Sequence, residues 1–233
     1  GFSYMLFFFI SLHLVFEIDG KNIALFGAMD KPLPIVYLHT FRHEGERVWQ
    51  QCQRMGTRQF ILVEISGLNW DEDMSPWAMD GKPFHEESIV GGAGEWLDVL
   101  LSKVIPWAEA QLQVTHRYLA GYSLAGLFAL WSIYHTDCFD GIVSGSGSFW
   151  YPGFMDYIRF HHPIRFPEAI YFSLGDQESK TRNVLYSKVE DNTRWLCEYY
   201  QKQNVKTVFQ LNNGNHYMQS DWRIAKGIQW ILG

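Results

Sequence analysis

The chain has 233 residues, 47% hydrophobic and 19% charged, which suits one domain and excludes disordered, collagen-like and coiled-coil classes. With 19 basic against 25 acidic residues and a net charge of −6, it lacks the basic excess needed to grip a phosphate backbone, and no nucleic-acid partner is expected. Cys52, Cys138 and Cys197 are odd in number and widely spaced. A disulfide framework or thiolate zinc site is therefore not expected, and a reducing, cytoplasmic setting fits.

In chain order, the first feature is the run Met5-Leu6-Phe7-Phe8-Phe9-Ile10 within residues 4–16. It is too short to span a bilayer, follows no basic residue and precedes no small-residue cleavage site, so it reads as buried strand and no membrane association is expected. Asp19-Gly20, between residues 12–18 and 22–26, predicts an antiparallel hairpin. Short apolar or β-branched runs follow at 35–38, 60–65, 118–122, 141–144, 169–174 and 207–211, as in strands buried on both faces. Helical stretches alternate with them at 45–55, 95–111, 124–135, 183–203 and 222–231. In the second of these, Trp96, Leu97, Leu100, Leu101, Val104 and Trp107 make one apolar stripe. The alternation predicts an α/β fold over residues 1–233, without a separate lid domain. Its sheet is mostly parallel and twisted, opens with an antiparallel hairpin and carries helices on both faces. Ligands on such sheets bind at the carboxyl ends of the strands.

One such end carries a nucleophile candidate. After Tyr118-Leu119-Ala120 comes Gly121-Tyr122-Ser123-Leu124-Ala125-Gly126, then the apolar helix Leu127-Phe128-Ala129-Leu130-Trp131. Strand, Gly-x-Ser-x-small, helix is the pattern of a nucleophile elbow. The serine takes a tight corner, and the residues two before and two after it approach neighbouring backbone. Ala125 occupies the second small position, with Gly126 beside it. The Leu124 N–H opens the helix and is a candidate oxyanion donor.

An elbow serine needs an imidazole, in the chain order serine, acid, histidine. Of nine histidines, His216 alone lies past the last strand, in Asn212-Asn213-Gly214-Asn215-His216-Tyr217. His39 and His43 lack the adjacent glutamate of a zinc-protease pattern, and His161-His162 precede a proline in a loop. No metal or other cofactor is expected. The acid should follow residues 169–174, where Gly175-Asp176-Gln177-Glu178 offers two carboxylates. Spacing leaves Asp176 and Glu178 both open.

Residues 121–130, Ser144-Gly145-Ser146-Gly147-Ser148-Phe149-Trp150, Gly175-Asp176-Gln177-Glu178 and Gly214-Asn215-His216 together resemble the putative-esterase family of α/β-hydrolases. That family includes esterase D, the enterochelin-type siderophore esterases and the antigen 85 mycolyltransferases. The likeness runs from about Pro34 to Trp230 and is strongest to the small, lidless siderophore-esterase-like members. It implies an α/β-hydrolase fold and hydrolysis of a carboxylic ester through an acyl-enzyme on Ser123, with His216 as base. The family's Gly-x-x-Glu implies Glu178 as the acid, and residues 69–94 match its loop over the pocket.

Two departures stand out: Ala125 where glycine is usual, and Leu38-His39-Thr40-Phe41 where the oxyanion strand usually ends Leu-Asp-Gly. The second oxyanion donor then falls to the N–H of Thr40 or Phe41. Trp70, Trp77 and Trp150, with Phe149, fall in loops at the catalytic end and are candidates to line an acyl or aryl pocket. In those loops Arg42, Lys82, Lys180 and Arg182 are outnumbered by acidic residues. A neutral ester is therefore expected as substrate rather than an anionic ferric siderophore. The same triad would serve an acyltransferase, and the altered oxyanion strand would suit a catalytically silent binding protein. Nothing in the sequence fixes the oligomeric state.

Overall fold

The computed structural model describes residues 14–80 and 88–233. Strand β1 (Leu14–Ile18) pairs antiparallel with β2 (Lys21–Phe26), Leu14 opposite Leu25 and Ile18 opposite Lys21. Between them Asp19 and Gly20 both lie in the left-handed region, at φ 47° and 79°, the turn whose twist matches that of the flanking strands. The hairpin joins the sheet through β2, antiparallel to β4 (Ile61–Ser66). Every pairing beyond is parallel, through β3 (Leu33–His39), β5 (Val114–Tyr122), β6 (Gly141–Gly145), β7 (Ala169–Gly175) and β8 (Lys206–Asn212). The order across the sheet is β1-β2-β4-β3-β5-β6-β7-β8.

Side chains alternate across this sheet with the period of two that a pleated strand imposes. On β3, Ile35 and Tyr37 enter one core, and Val36 and Leu38 enter the other. Helices α1 (Gly45–Arg54) and α8 (Ser220–Leu232) cover the second core with Val48, Cys52, Ile224 and Ile228. The first, larger core receives Trp96 and Leu97 of α3 (Ala93–Val99), and Leu196 and Tyr200 of α7 (Val189–Lys202). It also holds α5 (Leu124–Ser132), all of whose residues are buried. Helices thus flank both faces, as the sequence pattern implies.

Several details depart from the sequence reading. Residues 4–13 of the apolar N-terminal run lie outside the described residues. The part that can be followed is not buried: among the described residues β1 is the outermost strand, and Val15 is 64% exposed. At that edge Leu14, Val15 and Phe16 reach neither core cluster, although Phe16 packs edge-on against Trp107 at 4.2 Å.

The helix expected over 95–111 runs without interruption from 93 to 109, but between α3 and α4 (Ile105–Glu109) it loosens into a π-helical turn at Leu100–Val104. Pro106 explains the loosening, because it lacks an N–H and its ring crowds the carbonyl four residues back. Two further helices, α2 (Trp70–Asp73) and α6 (Phe154–Phe160), fall in stretches without a long enough apolar period to be read. The three cysteines are free. Among the described residues no helix is long and apolar enough to cross a membrane.

Candidate active site

Strand β5 ends at Tyr122 and α5 starts at Leu124, so Ser123 alone makes the corner, at φ 61° and ψ −125°. That conformation is costly for a residue with a Cβ. Four backbone bonds hold it: the Ser123 N–H donates to Gly145 C=O at 2.9 Å, and its C=O accepts from Gly126, Leu127 and Ser148 at 3.0, 3.1 and 3.1 Å. A Cβ on Gly121 would lie 2.3 Å from the Ala125 carbonyl oxygen and 2.6 Å from the Ala125 Cβ. The nearest atoms are backbone, so glycine at 121 is required whichever residue stands at 125.

The fold brings Ser123, His216 and Glu178 together from 93 and 38 residues apart in sequence. His216 Nε2 lies 3.0 Å from Ser123 Oγ, and His216 Nδ1 lies 2.6 Å from Glu178 Oε1. The other carboxylate oxygen, Oε2, accepts from Ser146 Oγ and from the Gly175 N–H, both at 2.6 Å, with Arg223 Nη1 at 3.5 Å. Burial alone would push the Glu178 carboxyl up. The bond and charge interaction with His216, and the bonds from Ser146 and Gly175, outweigh burial and hold it below the ordinary carboxylate range.

Asp176 is not in this series. Its Oδ1 accepts the Gly214 N–H at 3.0 Å, the main reason its own carboxyl sits low, and it braces the start of the histidine loop. An imidazole tied on one side to a carboxylate and facing a hydroxyl on the other can take the hydroxyl proton and stay oriented while charged.

The candidate oxyanion donors sort themselves by what each N–H already does. The Thr40 N–H donates to Ile65 C=O at 2.9 Å as a continuation of the sheet, which favours the Phe41 N–H over it as the candidate to pair with that of Leu124. The loop bearing Phe41 is pinned at both ends to one oxygen: Glu64 Oε2 accepts from Thr40 Oγ1 at 2.7 Å and from the Gly45 N–H, which opens α1, at 2.6 Å. His39, behind this loop, accepts from Trp96 Nε1 at 2.8 Å, and burial pushes its pKa down to about 3, so it stays neutral.

A sequence model of the family described as Putative esterase matches residues 41–224. The chain belongs to the putative-esterase family. It is also 22% identical over 214 residues to the uncharacterized protein YbbA of Bacillus subtilis, covering 86% of each chain. Among solved structures, this esterase-family chain is similar to the BES protein of Bacillus cereus, with a TM-score of 0.70 and 18% identity over 94% of each chain. It is similar as well to the siderophore hydrolase EstA of Aspergillus nidulans, with a TM-score of 0.67 and 17% identity, covering 91% of this chain and 89% of the other. These neighbours share the α/β-hydrolase fold.

Two clefts meet at Ser123 and His216 in this family member. One, of about 480 Å³, is lined by Phe41, Arg42, Glu44, Trp70, Tyr122 and Asp221, among others. The other, of about 340 Å³, is lined by Ser146, Trp150, Glu178, Thr181, Tyr186 and Val189. Trp70 packs on Phe41 with ring centres 5.3 Å apart and planes inclined at 57°, and Trp150 meets Tyr186 edge-on at 4.6 Å.

Trp77 is not among the lining residues of either of these two clefts. Its Nε1 donates to Pro152 C=O at 2.8 Å and its ring packs on Tyr151, Phe154 and Tyr157, which fastens the chain at Trp77 to α6 and the turn before it. Phe149 is fully buried and belongs to the core.

Sequence reasoning passed over Glu64, Ser146 and Arg223. Two of them carried a signal. Glu64 is the one charge in the apolar run 60–65, and Arg223 sits beside Ile224 and one turn before Gly227 on the apolar side of the last helix.

Proposed function

We propose that the chain is a serine carboxylic-ester hydrolase that works through an acyl-enzyme on a neutral acyl or aryl ester of small or medium size. The observation that carries this reading is the hydrogen-bonded series Ser123–His216–Glu178, at 3.0 and 2.6 Å, mounted on a strained elbow. Ser123 Oγ attacks the ester carbonyl while His216 Nε2 takes its proton. The N–H groups of Leu124 and Phe41 receive the oxyanion. The tetrahedral intermediate collapses, and the leaving alcohol carries off the proton from His216. Water then gives a proton to His216 and attacks the acyl-enzyme, and Ser123 is restored as the carboxylic acid leaves.

The substrate class rests on the clefts. Arg42 is the one Lys or Arg among their lining residues, against Glu44, Asp221 and Glu178; Lys82 lies outside the described residues. A highly anionic ligand would meet little to neutralise it. Fluorophosphonate treatment at neutral pH should add one label, on Ser123, and none to Ser123→Ala. A folded wild type that takes no label would overturn the hydrolase reading. Short acyl p-nitrophenyl esters should be turned over with kcat/KM at least equal to that for a ferric catecholate trilactone. A trilactone cleaved several orders of magnitude faster would overturn the substrate class alone.

The pinned oxyanion loop adds a separate expectation. Glu64→Leu leaves the Thr40 hydroxyl and the Gly45 N–H without their acceptor and frees the loop, and should lower kcat by roughly 10- to 10²-fold. Glu64→Gln keeps an acceptor oxygen in place and should cost far less. Steady-state kinetics of the two variants side by side check it.

A further inference from the structure

We infer that Arg223 is a positioning residue for the proposed reaction, a buried cation that holds the acid loop and the histidine loop in register with the elbow. This inference rests on reading Ser123, His216 and Glu178 as the catalytic series. Arg223 comes early in α8 and is 1% exposed. It lines neither cleft, so it does not meet substrate. A guanidinium this deep must find both hydrogen-bond acceptors and a countercharge.

It finds them on every segment that carries the series. Nη1 donates to Tyr122 Oη at 3.0 Å and to Ser146 Oγ at 3.3 Å, and lies 3.5 Å from Glu178 Oε2. Nη2 donates to the carbonyls of Asn213 and Asn215 at 3.3 and 3.2 Å, on the approach to His216. Tyr122, next to the nucleophile, relays the hold by donating its hydroxyl to His216 C=O at 2.6 Å. The rigid planar fork of arginine makes this possible, because its two terminal nitrogens serve two loops from one side chain. Gly175 leaves room for it: a Cβ there would lie 3.0 Å from Arg223 Nη2 and 2.4 Å from Gly214 C=O.

The two oxygens of Glu178 consequently have different tasks. Oε1 faces His216, while Oε2 is turned toward Ser146, the Gly175 N–H and Arg223. Arg223 places a permanent cation 3.5 Å from Oε2, and together with Ser146 and the Gly175 N–H it anchors that oxygen so that Oε1 stays aimed at His216.

Methionine at 223 matches much of the arginine stem without its charge or donors; removing one partner of a buried pair lowers stability, but Glu178 keeps its bonds to Ser146, the Gly175 N–H and His216. Arg223→Met should therefore fold, yet react with a fluorophosphonate on the order of 10²-fold more slowly than wild type, because the series is misplaced. Arg223→Lys keeps a charge but cannot serve both halves of the fork, and should lose roughly tenfold.

The second readout is the proton NMR resonance of the His216 Nδ1–H, far downfield because of its short bond to Glu178 and assigned by its loss in His216→Asn. It should move upfield or broaden away in Arg223→Met. A slower Arg223→Met with that resonance unchanged would mean a scaffold defect and overturn the inference. So would wild-type labelling by Arg223→Met, or by Arg223→Lys should the methionine variant fail to fold. A wild type that takes no label would overturn the hydrolase reading and this inference with it. A labelled wild type with an unaffected Arg223→Met overturns the inference alone.

Discussion

Ser123→Ala is expected to lower kcat for p-nitrophenyl acetate by about 10⁶-fold, and His216→Ala by a similar factor, with the double variant no worse than either. The reason is that neither group is useful without the other. A hydroxyl with no base within 3.0 Å remains a weak nucleophile, and an imidazole with no hydroxyl has no proton to take. Residual turnover, about 10³- to 10⁴-fold over water, should survive from binding and from the oxyanion N–H groups. Initial rates of the three variants, corrected for spontaneous hydrolysis, test this. Losses that multiply in the double variant would mean that the two residues act independently.

Glu178→Gln should lower kcat by on the order of 10²-fold or more, and Asp176→Asn much less. An amide at 178 can turn its NH₂ toward His216 Nδ1, which forces the proton onto Nε2, where it can no longer accept from Ser123. Asp176 touches only the Gly214 N–H and Gln177, and an asparagine oxygen can still accept the former. The pH dependence of stability follows from the same carboxyl. Despite burial, its bonds hold it below the ordinary carboxylate range. Its contribution to stability is thus present above that range and lost as pH falls through the depressed value. Thermal melts of wild type and Glu178→Gln should differ more at pH 7 than at pH 3. A gap that widened toward acid would contradict this account.

How far the sequence could be read depended on how local each signal was. Ser123 was legible because an elbow is built from consecutive residues, and His216 because few histidines follow the last strand. Asp176 and Glu178 lie two residues apart in one turn, so which one faces the histidine depends on how that turn leaves β7. Spacing could not choose, and only the family's Gly-x-x-Glu did.

Thr40 and Phe41 were equivalent on paper because the last residue whose N–H the sheet occupies cannot be read from a strand's composition. Trp70 and Trp77 look alike in sequence, and one lines a cleft while the other is bolted to α6. The apolar N-terminal run showed a strand but not that its described part lies at the sheet's edge, since hydrophobicity does not encode strand order. Pro106 was visible throughout, and the apolar stripe across it masked the π-helical turn.

The backbone of Ser123 also sets heat resistance against chemistry at one position. At φ 61° the position suits an achiral residue, and any side chain there costs the folded state on the order of 1 kcal/mol. Glycine is the one substitution that relaxes the corner, and with serine the chain stands on the less stable side of that trade. Ser123→Gly is accordingly the variant in which heat resistance and turnover should part company most sharply, the melt shifting upward as activity disappears.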